Sequence, residues 1–133
     1  MKLGSLKSGG RDGALVVVSR DLARRRLVPE IAPTLQAAID DWARLEPRLA
    51  EVAAALNARD GPSEPFDERE MASPLPRAYQ WADGSVYVNY MELVRRALGP
   101  EPTATMWADP LIYQGGSDAF LDPTGDILAE SED

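Results

Sequence analysis

Ala14-Leu15-Val16-Val17-Val18-Ser19-Arg20-Asp21 has a β-branched centre, Val16 to Val18, and reads as a strand. Upstream, Met1–Leu6 reads as a second strand. The two are joined across Lys7-Ser8-Gly9-Gly10-Arg11-Asp12-Gly13, a glycine-rich loop, so the chain opens on a hairpin with a long connection. Downstream the period changes. From Thr34, Leu35, Ala38, Ile39, Trp42 and Leu45 recur at spacings of three and four, and Leu49, Val52, Ala53 and Leu56 continue the stripe of an amphipathic helix. Pro47 interrupts this stripe and predicts either two helices meeting near Glu46-Pro47 or one kinked helix. Asn57–Gly61 ends the element. The arginine run Arg24-Arg25-Arg26 between hairpin and helix reads as a solvated connection.

These elements divide the 133 residues into three parts: a hairpin with helices over 1–58, a connection over 59–76, and a third region over 77–133. The connection holds Gly61, Pro62, Pro65, Pro74 and Pro76 among charged side chains, a composition that predicts an exposed path. Running from the connection into the third region, Leu75–Val88 reads as extended, with a turn at Ala82-Asp83-Gly84-Ser85. Asn89 is expected to cap a short helix that runs through Leu93, Val94 and Ala97 to Gly99.

Composition excludes several function classes. There is no cysteine and no histidine, so disulfides, thiolate or imidazole metal sites, cysteine nucleophiles and Ser-His-Asp triads cannot be built from this chain. Carboxylates, Tyr, Lys and Arg are its catalytic material. The net charge is −8, distributed as +3 over residues 1–50 and −11 over residues 51–133. One arginine cluster without interleaved aromatics, in an acidic protein, argues against nucleic acid as a partner. Apolar runs such as Ala14–Val18 fall far short of the roughly 20 residues that span a bilayer, and the N-terminus lacks the apolar core of an export signal. No membrane partner and a cytoplasmic location are the expectations.

Two stretches could carry chemistry. In Pro76-Arg77-Ala78-Tyr79-Gln80-Trp81-Ala82-Asp83-Gly84-Ser85-Val86-Tyr87-Val88-Asn89-Tyr90, aromatics surround one carboxylate. Asp83 is either an Asx-type turn residue bonding its own backbone or an oxygen ligand for magnesium, calcium or manganese, which needs further oxygens to complete a shell. In Asp109-Pro110-Leu111-Ile112-Tyr113-Gln114-Gly115-Gly116-Ser117-Asp118, paired glycines permit either an ordinary loop or close approach of backbone amides to an anion. Glu64, Asp67, Glu68 and Glu70 form the densest acidic run and read as solvated surface. Trp81, Tyr87 and Trp107 are expected to be buried as core packing.

Taken together, Met1-Lys2-Leu3, Arg11–Ser19, Ile31–Trp42, Leu75–Ser85 and Asp109–Asp118 resemble the N-terminal portion of the bacterial fumarylacetoacetate hydrolase family. The resemblance implies an α+β fold: a small N-terminal domain, with a β-hairpin or short sheet packed on one or two amphipathic helices, then an extended segment that begins a β-rich catalytic domain. It implies a cofactor, Mg or Ca, and hydrolysis of carbon–carbon bonds in 1,3-diketo or acylpyruvate acids. By position, Asp83 matches the family's first metal-binding aspartate, Tyr113 matches a substrate-contacting tyrosine, and Gln114 and Ser85 are the accompanying substrate-binding candidates.

Two departures stand out. Tyr90 occupies the position of the family's water-activating histidine, seven residues after the aspartate, and a phenol is a poor base at pH 7. The family's Glu-x-Glu ligand pair is expected in a catalytic domain, supplied in cis or by a partner chain. Glu130-Ser131-Glu132 spells that pattern ahead of the family's catalytic strands and reads as coincidence. The isolated chain is therefore expected to be inactive and to self-associate as a homo-oligomer. The alternative is a non-catalytic module in which Tyr79, Trp81, Tyr87, Tyr90, Trp107 and Tyr113 line an apolar cleft for a keto acid, another ligand or a partner protein.

Overall fold

A five-residue apolar run without polar alternation suits a strand covered on both faces. In the computed structural model, which describes residues 1–85, 87–99, 104–117, 119–128 and 131, Ala14–Val18 is such a strand. It lies second in an antiparallel four-stranded sheet of order β1-β2-β3-β4, formed by Lys2–Leu6 (β1), Ala14–Val18 (β2), Arg24–Leu27 (β3) and Glu64–Pro65 (β4). The hairpin pairs Lys2 with Val18 and Leu6 with Ala14, and Lys7–Asp12 forms a 3-10 turn between them.

Alternation of side chains along β2 separates two cores. Leu15 and Val17 join Val28, Ala32 and the helices Leu35–Asp40 (α1) and Trp42–Ala58 (α2), which contribute Leu35, Ala38, Leu45, Leu49, Ala53 and Leu56. Val16 and Val18 face the other way, against Leu6, Met71, Ala14 and Phe66. The expected helical stripe is present, but it breaks at Asp41 rather than at Glu46-Pro47. Asp41 has non-helical dihedrals (φ −128°, ψ 40°), while Pro47 sits within α2. Pro47 lies only six residues into α2, so the amide it lacks removes one bond near the helix start, and Arg44 closes back on Asp41 through an ion pair. Thr34 caps α1 by accepting a hydrogen bond from the Ala37 amide at 3.1 Å.

The second core corrects two expectations. Arg24-Arg25-Arg26 is not a solvated connection but most of β3. Arg25 pairs with Val18 and is buried on the second face, where its guanidinium meets Glu70 and, at 3.4 Å, Glu64. Nor are residues 64–74 simply an exposed path: they form a strap across that face. The strap starts as β4 beside β3, tucks in Phe66, turns through Glu68–Glu70, buries Met71 and reaches the far edge. There Met71 bridges Leu6, the Ala72 amide donates to the Ser5 carbonyl, and the Ser5 hydroxyl donates to the Pro74 carbonyl at 2.6 Å. Gly4 lies under this crossing, where a Cβ would come within 2.5 Å of the Met71 methyl carbon and the flexible Met71 side chain would have to shift. Buried strap residues explain how proline-rich sequence contributes to a core.

Asp67 fastens the strap's turn. It accepts hydrogen bonds from the Arg69 amide and guanidinium, and chiefly the guanidinium bond lowers its carboxyl from the ordinary 3.8 to about 2. A depressed carboxyl stabilises the fold above its ordinary value and loses that contribution as pH falls toward 2. Carboxyl-carbon NMR is therefore expected to show an Asp67 midpoint near 2, moving back toward 3.8 in Arg69→Ala. An unchanged midpoint in the variant would overturn the assignment.

The chain divides into two compact units: residues 1–77 with 119–133, and residues 78–118. In the first, Lys7 pairs with Asp122 at 2.9 Å and Arg77 with Asp12 at 2.6 Å. The second unit contains a two-stranded antiparallel ribbon, Ala82–Ser85 (β5) with Leu111–Gln114 (β6), and the helix Val88–Leu98 (α3). The expected Asn89 cap is absent. The helix starts at Val88, two residues earlier than an Asn89 cap would place it, with Tyr87 preceding it and no side-chain cap, while Gly99 ends it at φ 91° as expected. No helix among the described residues is long and apolar enough to cross a membrane.

Candidate functional site

The four candidate site residues on the ribbon are brought to one short ladder. Asp83 stands directly opposite Tyr113, Ala82 opposite Gln114, and Ser85 opposite Leu111. Ala82–Ser85 is thus a strand and not the expected turn. Pairing with Leu111-Ile112-Tyr113 satisfies four residues' backbone at once, more than an isolated Asp-Gly turn can do. Asp83, Tyr113 and Gln114 are exposed and Ser85 is half-buried. Tyr90 lies in the first turn of α3 and is also exposed.

The paired glycines close the ribbon. The Gly115 amide donates to the Trp81 carbonyl at 2.9 Å and the Trp81 amide donates to the Gly116 carbonyl at 3.2 Å. A Cβ on Gly115 would overlap the indole carbons Cδ2 and Cε2, so the backbone here approaches the face of Trp81. That contact accounts for Gly115.

Burial of the aromatics is not observed. Trp81 is 48% exposed, Tyr87 80% and Trp107 55%. Among the described residues of the second unit only Met91 is buried. Among the described residues, two short strands that are exposed except at Ser85, together with α3, bury too little for independent stability.

Whether these residues fit a divalent cation can be tested on the donor set. Hard cations take six or more oxygens, usually including several carboxylates. Among the described residues no three carboxylates gather to hold a metal ion. Asp83 therefore does not form such a site with its described neighbours. Glu130 and Glu132 lie outside the described residues.

One arrangement escaped the sequence reading. Arg95, one helical turn after Met91 on α3, lines a cavity together with Ser85, Trp107, Asp109 and Leu111. The i, i+4 spacing of Met91 and Arg95 put them on one helix face, but nothing in the sequence marked that face as lining a cavity.

The profile of a family described as fumarylacetoacetase N-terminal domain 2 matches residues 1–77, more than half of the chain. The match ends at Arg77, where the first unit's leading segment also ends. The chain belongs to the fumarylacetoacetate hydrolase family through this N-terminal domain. No curated protein matches it.

Proposed function

We propose that this chain is the N-terminal part or subunit of a metal-dependent fumarylacetoacetate-hydrolase-like enzyme acting on carbon–carbon bonds of 1,3-diketo or acylpyruvate acids. The observation that carries this reading is the family match over residues 1–77. The exposed β5–β6 ribbon supports it, because a strand pair with open edges and bare faces suits completion by further strands. On this reading Asp83 supplies one ligand for Mg or Ca, and the remaining carboxylates come from a catalytic domain, in cis or on a partner chain. Tyr113, Gln114 and Ser85 contact the keto acid, and Tyr90 orients it by hydrogen bonding without acting as a base.

The test is an acylpyruvate hydrolysis assay with magnesium, run on the chain alone and on the chain mixed with a polypeptide carrying the family's Glu-x-Glu catalytic strands. No turnover is expected alone. Turnover is expected in the mixture, falling at least about 100-fold with Asp83→Ala, as loss of a metal ligand should do at least as much as loss of its supporting contacts. Turnover by the isolated chain, or a mixture indifferent to Asp83→Ala, would overturn the proposal.

A further inference from the structure

The second unit contains a cavity of about 450 Å³, within the range of small-molecule pockets. Val88, Met91, Trp107 and Leu111 give it apolar and aromatic walls. Among its described lining residues the one cation is Arg95. The residue is half-buried, and its Nε–H is shielded from solvent with no hydrogen-bond partner. Among the described residues no ion pair involves Arg95.

A dry, unpaired donor on a charged group is costly, and a guanidinium fork matches one chemistry best: the two coplanar oxygens of a carboxylate. The opposing charge in the cavity, Asp109, belongs to an exposed residue and keeps its hydration. It therefore gains little from a bound cation, whereas Arg95 gains an acceptor for a buried donor. Asp109 also disfavours a second anionic group on the ligand.

We propose that this cavity is a binding site for a small monocarboxylate with an apolar body, the carboxylate held by Arg95 and the body against Trp107, Met91 and Leu111. The site shares Ser85 with the proposed keto-acid contacts, but Asp83, Tyr90, Tyr113 and Gln114 do not line it, and its test involves neither metal nor turnover.

Benzoate, benzamide and benzylamine share one apolar body and differ in charge, so the full chain itself provides the comparison. Calorimetric titration is expected to give saturable benzoate binding about tenfold or more tighter than benzamide, the difference between a charge-assisted and a neutral hydrogen bond. Phthalate, with a second carboxylate, is expected to bind more weakly than benzoate. NMR shifts on adding benzoate should fall on the Arg95 Nε–H and the Trp107 indole N–H. Arg95→Gln should erase the preference for benzoate over benzamide, and Arg95→Lys should retain part of it. Benzoate binding no tighter than benzamide, preferential binding of benzylamine, or shifts confined to Arg24, Arg25 and Arg26 would overturn the proposal on the unmutated protein, whatever the variants do.

Discussion

Leu49→Ala is expected to destabilise the first unit by roughly 2–5 kcal/mol, the usual cost of emptying a leucine site in a packed core. Leu49 is fully buried midway along α2 and belongs to the cluster that joins both helices to Leu15 and Val17 of β2. The helix cannot easily settle into the void, because Leu45 and Leu56 on the same stripe hold it against the sheet. Domains of this size are stable by about 5–15 kcal/mol, so the change removes a large share of the total. Urea unfolding followed by far-UV circular dichroism measures it. A loss below about 1 kcal/mol would show that α2 does not pack on β2 as described.

The second large effect is expected in the ribbon. Gly115→Val places branched carbons where the indole of Trp81 lies against the backbone. Overpacking of this kind costs about 1–3 kcal/mol even in a full core, and here there is little else to hold the strands together. Opening of β5 from β6 is expected, with faster amide exchange at Asp83 and Tyr113 and a changed environment for Trp81. The first unit should keep its urea midpoint. Unchanged exchange at both amides would mean that Gly115 tolerates a side chain and that the contact with Trp81 is incidental.

How far the sequence revealed this architecture depended on whether the deciding interactions were local. The hairpin, the change of period at Thr34, the apolar stripe of α2 and the stop at Gly99 all depend on residues within a few positions of one another, and all were legible. β3 was not. Arg25 looks solvated until Glu64 and Glu70, some forty residues on, are seen to meet it. The strap failed for the same reason: prolines and acids suggest exposure, and nothing local shows that Phe66 and Met71 have a sheet face to cover.

At the candidate site the two segments were visible but their pairing was not. Asp83-Gly84 carries a strong local turn signal, and the partner that overrides it, Tyr113, lies thirty residues away. The aromatics misled in the opposite direction. Large rings in a domain of this length are normally buried, but in the second unit they have almost no core to enter, only Met91 being buried among its described residues. Arg95 gave no signal, because an unpaired donor becomes visible only once its neighbours are placed.

The strap has one more consequence, which concerns where new strands can be added. It leaves one side of the four-stranded sheet as the two-residue β4, blunted by Pro65, and engages the other side through Met71 and Ala72. Short, proline-bearing or occupied borders give a foreign strand little to template on. Among the described residues, nothing of this kind covers the edges of the β5–β6 ribbon. Growth of β-structure is thus discouraged in the matched domain and left open in the ribbon, so strap-loosening changes such as Met71→Asp would be felt first as a gain of unwanted association.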